Sequence, residues 1–217
     1  MQDEECPHLF HPGAAARKTK TRLMPCLTGD QCAGLHWAFL CDLAEIYGQV
    51  DADLYVAYTD DPDWESLKSI FLNARFFPQV DSGLGEKMNH ALNAVLALGY
   101  EKVVLTGSDL PLMTAEHLRS GFDALEKADV ALGPTADGGY YLVGVKAPSS
   151  FLFEEQTYGC GSVYESTAAA ADAAGKTVGA AFPCDDVDTP EDLRKLMQII
   201  SPDSHTACYL QTLGEIK

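Results

Sequence analysis

Basic residues are scarce in this chain: 15 Lys and Arg stand against 32 Asp and Glu, a formal net charge of −17 with the six His neutral. A protein that coats nucleic acid needs a basic face, and the positive residues here are thinly spread outside one cluster at Arg17 to Arg22. The balance disfavours that class. No apolar run approaches the roughly 20 residues a membrane-spanning helix needs, and the opening Met1 to Cys6 is acidic where a secretion signal is basic. The expectation is a soluble, cytoplasmic protein with neither a nucleic-acid nor a membrane partner. The seven Cys are odd in number and form no CxxC pair, which speaks against zinc and redox sites and for mostly buried thiols. G-x-S-x-G, H-E-x-x-H and the Walker GxxxxGK[ST] pattern are all missing, so hydrolase, zincin and P-loop chemistries lack their central parts. The six His stand singly, as surface or core His commonly do.

What is present is an ordinary globular composition, 47% apolar and 22% charged, with no repeat or linker to divide it. The chain is expected to form one domain over residues 1–217, with a short helical tail from about residue 201. Leu54–Tyr58, Lys102–Thr106, Val130–Gly133 and Tyr140–Val145 are continuous apolar runs, the habit of strands covered on both faces, and Val178–Phe182 suits a last strand. Between them apolar residues recur every three or four positions, at Cys32 to Ile46, Met88 to Val95 and Leu118 to Leu125, which predicts amphipathic helices. Thr114 suits the N-cap of the third, and Pro190 with Glu191 and Asp192 the first turn of another. Alternating strands and helices predict an α/β fold with a mostly parallel central sheet, whose ligand sits beyond the carboxyl ends of the strands.

Four segments carry chemistry. In KVVLTGSDLP a buried strand runs into Gly107, Ser108 and Asp109, aiming a carboxylate at the ligand edge. A hard cation such as Mg²⁺ or Mn²⁺ takes oxygen ligands and completes its shell with phosphates and water; the other reading of Asp109 is a turn or helix cap. In CDDVDTPEDL, Asp186 and Asp188 are two apart in an extended stretch and so face one side, although Asp188 also suits the cap of the helix at Pro190. Arg17, Lys18, Lys20 and Arg22 make a basic island that suits a di- or triphosphate, or else a solvated loop. Asp137, Gly138 and Gly139 allow close backbone approach to a ligand and equally spell a hairpin turn. Gly83-Leu84-Gly85 and Gly159-Cys160-Gly161 lack the third glycine and preceding strand of a dinucleotide site.

Taken in order, KTRL (Lys20 to Leu23), GLGEKM (Gly83 to Met88), GSDLP (Gly107 to Pro111), GPTADGGYYLVG (Gly133 to Gly144) and DVDTPEDL (Asp186 to Leu193) form a series. It resembles the arsenosugar-biosynthesis-type glycosyltransferase family of the GT-A, nucleotide-diphospho-sugar transferase-like superfamily. The resemblance implies a single GT-A (Rossmann-like) domain and a Mg²⁺- or Mn²⁺-dependent transfer of sugar from a nucleotide-diphosphate donor to the hydroxyl of a small-molecule acceptor. Asp109 and Asp188 are then the metal positions, and Asp137 and Asp186 the catalytic ones. Lys20, Arg22, Gly83, Gly85, Ser108, Gly138 and Gly139 fall at substrate-binding positions. The same superfamily contains nucleotidyltransferases with similar GSDLP and VDTPEDL segments, so nucleotidyl transfer to a phosphorylated small molecule is the second reading. The third is a nucleotide-sugar-binding protein without turnover. It draws on departures from the family pattern: a first strand reduced to His8, Leu9 and Phe10, Arg17 in place of Gly, and Tyr158 in place of Trp.

Overall fold

The protein is described here from a computed structural model, over residues 5–10, 20–59 and 62–214. The basic residues Arg17 and Lys18, with the loop that holds them, lie outside the described residues. In chain order the elements are β1 (Glu5–Phe10), α1 (Gly29–Tyr47), β2 (Tyr55–Tyr58), β3 (Arg75–Pro78), α2 (Leu84–Leu96) and β4 (Lys102–Thr106). They continue with α3 (Ala115–Lys127), β5 (Val130–Pro134), β6 (Tyr140–Val145), α4 (Val163–Ala173), β7 (Val178–Ala180), α5 (Pro190–Ile199) and α6 (His205–Thr212).

The strands form one seven-stranded sheet in the order β3-β2-β1-β4-β6-β5-β7. All neighbours are parallel except β6, which runs antiparallel to both β4 and β5. The expected α/β architecture with a mostly parallel sheet is therefore what the chain adopts. Successive side chains of β4 go to opposite faces, as the pleat requires. Val104 joins Leu40, Leu43, Leu118 and Phe122 on the face covered by α1 and α3. Val103 and Leu105 join Met88, Leu92 and Val95 of α2, with Ala171 of α4, on the other. A third cluster ties Leu35 and Phe39 of α1 to Leu193 and Leu196 of α5 and Leu210 of α6. Every β4 residue is buried, which is why this segment carries the continuous apolar run.

Several expectations need correction. The first strand is six residues long, because its backbone pairs with β4 from Glu5↔Lys102 onward, well before the His8–Phe10 apolar run. Neither β3 nor α4 is foreseen. The former is a four-residue edge strand, half exposed; the latter, VYESTAAAADA, is alanine-rich and has little apolar stripe to betray it. Thr189, not Asp188, is the N-cap of α5: its side chain accepts from the Asp192 N–H at 3.3 Å. The thiols are less buried than expected. Among the described residues Cys32 and Cys184 are buried, Cys26 and Cys41 partly so, and Cys160 and Cys208 exposed, all of them free.

Candidate active site

Three loops meet at the edge of the sheet where β1, β2 and β4 end. The first leaves β4 as Gly107-Ser108-Asp109, the second is the β5–β6 turn at 135–139, and the third follows β7 as Asp185 to Asp188. Backbone bonds clamp them together. Val187 N–H donates to Asp109 O at 3.1 Å, Cys184 N–H to Pro134 O at 3.2 Å, and Gly107 N–H to Tyr141 O at 3.1 Å. Asp185 adds a side-chain tie, accepting from Ala136 N–H at 2.7 Å. β5 runs in the same direction as β4, both being antiparallel to β6, so its end brings the 135–139 turn to this edge and the acidic motifs converge although they are far apart in the chain.

Two adjoining cavities open here. One, of about 320 Å³, is lined by Leu84, Met88, Tyr140, Tyr158 and Val163, with Arg22, Asp109, Asp137, Asp186 and Asp188 among its polar lining residues. The other, of about 290 Å³, lies between Thr59, Gln79 and Lys87. Leu84, Gly107, Ser108 and Asp109 border both. The Asp109 carboxylate thus stands at the junction of two ligand-sized spaces, each near the lower end of the usual range for small-molecule sites.

The centre of the site is a buried ammonium. Lys20, whose backbone adopts φ 53, carries a side chain only 2% exposed. Its Nζ lies 2.9 Å from Asp109 Oδ1 and 3.1 Å from Asp188 Oδ1, and donates to Val187 O at 2.5 Å. Arg22 is largely exposed and approaches the other Asp188 oxygen at 3.5 Å. A buried charge needs partners of this kind, and three oxygens supply them. The sequence-based reading of Lys20 as a phosphate-facing side chain therefore meets a different arrangement, in which the ammonium holds two carboxylates together. Asp109 and Asp188 are used in that bridge and cap neither a turn nor a helix.

His36, on the apolar stripe of α1, completes the inner wall. Its Nε2 lies 3.2 Å from Ser108 Oγ and 3.5 Å from Asp109 Oδ1. Burial, with the nearby Lys20 charge, pushes its pKa down to about 3, so the ring is neutral at ordinary pH and orients Ser108 as a hydrogen-bonding group. Asp186 is held the opposite way. Burial, then the Asp188 charge, raise its pKa to about 6 against a smaller opposing pull from Lys20, with Asp137 and Asp109 adding to the rise. Asp137 closes its own turn, accepting from Thr135 Oγ1 at 2.5 Å and Gly139 N–H at 3.0 Å. The DGG segment is both a hairpin turn and a cavity wall, so the two readings of its letters describe one object.

The remaining expected positions divide. Ser108 and Gly139 line the cleft. Gly138 instead supports it, with φ +85 and a packed contact against Gly161. Gly83 is the N-cap of α2, and Gly85 packs under Phe153 and the Tyr158 hydroxyl; Leu84 between them, not either glycine, lines the cavities. Sequence reasoning missed His36, Lys87, Tyr140 and Tyr158 as site residues. For His36 the usable signal was its place one residue after Leu35 on a stripe with Cys32 and Phe39. Lys87 stood inside GLGEKM as the cation next to the nucleotide-motif glycines.

A divalent cation is the group the family resemblance implies. Among the described residues no group of three or more His, Cys, Asp or Glu is assembled as a ready metal-binding set. Two carboxylates do converge on one cationic point, now taken by Lys20 Nζ. Such a pair fits a hard cation that draws the rest of its shell from phosphate oxygens and water.

A family profile described as an uncharacterized protein conserved in bacteria (DUF2064) matches residues 42–160. The crystal structure of a candidate nucleotide-diphospho-sugar transferase from Desulfovibrio desulfuricans matches with a TM-score of 0.88 and 31% identity, over 97% of this chain and 95% of that one. The fold is nucleotide-diphospho-sugar transferase-like. A 2-phospho-L-lactate guanylyltransferase from Methanosarcina barkeri is 31% identical over 113 residues, 51% of either sequence, so the chain spans about half the length of that curated relative. A 4-diphosphocytidyl-2C-methyl-D-erythritol synthase from Anaerococcus prevotii shares the fold at a TM-score of 0.62 and 14% identity, over 96% of each chain. No described helix is long and apolar enough to cross a membrane.

Proposed function

The chain belongs to the DUF2064 family of bacterial proteins, and from that starting point we propose that it is a Mg²⁺- or Mn²⁺-dependent transferase moving a sugar from a nucleotide-diphosphate donor to the hydroxyl of a small acceptor. The observation that carries the reading is the place of Asp109, at the junction of the two cavities and ion-paired with Lys20 together with Asp188. The cavity beside Thr59, Gln79 and Lys87 takes the nucleotide, with Lys87 near its phosphates. The cavity beside Asp137 and Asp186 takes the sugar and acceptor. A bound divalent cation supplies charge neutralisation for the departing diphosphate, and Asp109 and Asp188 are the residues that would hold it. Lys20 and Arg22 add fixed positive charge at the same point, where negative charge grows as the bond breaks.

The acceptor oxygen bonds to the anomeric carbon, the bond from that carbon to the phosphate oxygen breaks, and the nucleoside diphosphate leaves. The acceptor's proton goes to a carboxylate on the rim. Asp186 is better suited than Asp137: its pKa of about 6 makes it an anion at neutral pH that still takes up a proton readily. Asp137 is tied to Thr135 and Gly139 and shapes the rim. Membership of the arsenosugar-type branch belongs to the same proposal, supported by the order of the five motifs.

Nucleotidyl transfer is the second reading, favoured by the archaeal guanylyltransferase that aligns with half of the chain. Products separate the two. Nucleotide sugars incubated with protein, Mn²⁺ and acceptors should release nucleoside diphosphate; pyrophosphate released from a nucleoside triphosphate, with no reaction of any nucleotide sugar, establishes the second reading instead. Asp109→Asn should abolish the gain in nucleoside-diphosphate affinity that Mn²⁺ brings. An equal gain in the variant removes Asp109 from the metal site.

A further inference from the structure

Resting on the transferase reading above, we propose that the acceptor is a small molecule with an apolar body and no phosphate or carboxylate of its own. The larger cavity decides this by its walls and its charges. Met88 and Val163 are buried and, with Leu105 and Val143, give it apolar sides. Its volume of about 320 Å³ exceeds the roughly 150 Å³ known to be enough for a benzene ring in an apolar cavity. Space therefore remains for a ring or branched chain beside a transferred sugar.

The polar groups in this wall suit a neutral guest. Tyr140 and Tyr158 line the cavity and turn their hydroxyls toward each other, with Thr167 beside Tyr140. None of the three oxygens has a well-formed hydrogen bond. These hydroxyl oxygens are buried against one another, so what the two tyrosines present to the cavity is aromatic and uncharged. Burial, first of all, pushes the pKa of both phenols up, which keeps them uncharged.

The rim repels anions. Asp109, Asp137, Asp186 and Asp188 line the cavity, against Arg22 as its one cationic lining residue among the described residues. Lys20 offsets Asp109 and Asp188. Among the described residues no Lys or Arg makes an ion pair with Asp137 or Asp186, so the rim nearest the acceptor is lined by two carboxylates that no cation offsets directly. Arg22 stands beside Asp188, so among the described residues an acceptor phosphate next to Asp137 and Asp186 would face carboxylates with no guanidinium or ammonium paired to them. A phosphorylated acid of the kind in the archaeal relative's name is a poor guest for this space.

The test uses three probes with one apolar body and different heads: 2-phenylethanol, 2-phenylethylamine and 2-phenylethyl phosphate. Each is titrated by ligand-observed NMR, at pH 7.5, into full-length protein with guanosine or uridine diphosphate and Mn²⁺, and diphosphate binding is followed in the same samples. The alcohol and the amine should bind at least tenfold tighter than the phosphate ester. Asp186→Asn should narrow that gap by threefold or more. An ester that binds as tightly as the alcohol, failure of all three probes while diphosphate binds, or a gap unmoved in Asp186→Asn overturns the assignment. If diphosphate does not bind but the alcohol still outcompetes the ester, the transferase reading falls and the cavity's preference stands.

Discussion

Lys20 and Asp188 are 168 residues apart in the chain, and their charged atoms lie 3.1 Å apart in the fold. The same ammonium reaches Asp109 at 2.9 Å. One cation thereby links the segment after β1, the turn after β4 and the loop before α5. If Asp109 and Asp188 hold the cation of the proposed reaction, Lys20 competes with it for their oxygens.

Lys20→Met keeps the length of the side chain and removes its charge. The nucleotide-free variant should bind Mn²⁺ at least tenfold tighter than the parent, read by the loss of the free-Mn²⁺ electron paramagnetic resonance signal. Unchanged affinity means that the ammonium does not stand in for the metal.

Much of this arrangement was legible in the sequence, and the illegible part has physical causes. The β4 run into Asp109, and the extended spacing of Asp186 and Asp188, follow from strand geometry, so both could be placed at the ligand edge from letters alone. What letters do not carry is which partner a carboxylate finds across the fold. Asp188 had a helix start beside it and so read as a cap, yet Thr189 takes that role and frees Asp188 for Lys20. His36 looks like any single His until the packing of α1 buries it against Ser108. The antiparallel β6 was also hidden, because a strand buried on both faces shows the same apolar run in either direction.

Gly138 has φ +85, and a Cβ placed there would come within 2.2 Å of the Gly161 carbonyl oxygen. Both objections act on backbone, which cannot swing aside as a side chain can. Gly138→Ala should cost about 2–3 kcal/mol in chemical denaturation and detach the 157–162 loop from the turn. The matching cost at Gly159, where φ is +80 and the space open, should be nearer 1 kcal/mol. Equal losses at the two positions would show that the contact with Gly161 contributes nothing.

Asp42, buried in α1, receives the start of α6. Its carboxylate accepts from His205 N–H at 2.7 Å, Thr206 N–H at 3.0 Å and Thr206 Oγ1 at 2.5 Å. Gly34 leaves room nearby for the Tyr209 ring, which a Cβ would meet at 2.2–2.8 Å. Asp42→Ala strands three donors at a helix start, and should cost about 2–3 kcal/mol. Hydrogen exchange should show that loss concentrated in α6, with protection of the buried strand β4 unchanged. Uniform loss across the sheet would mean that α6 docks independently of Asp42.

Asp186 yields the prediction with a pH signature. Burial and the carboxylates around it raise its pKa from 3.8 to about 6 in the folded chain. The folded state therefore holds this proton more tightly than the unfolded one. Stability contributed by the protonated group is complete below about pH 4 and is lost as pH rises through 6. Above that, the ionised carboxylate is a standing cost, on the order of 2 kcal/mol once solvent screening is allowed for. Asp186→Asn removes the cost and should unfold at higher denaturant than the parent at pH 7.5, with the advantage shrinking to nothing near pH 4. A cation bound at Asp109 and Asp188 should shrink it from the other side, because added positive charge lowers the Asp186 pKa in the parent alone. Titrating Mn²⁺ into both proteins at pH 7.5 therefore measures how strongly Asp186 senses the metal position; a difference in stability that ignores both pH and Mn²⁺ would mean that its carboxylate is solvated and takes no part in the charge balance of the cleft.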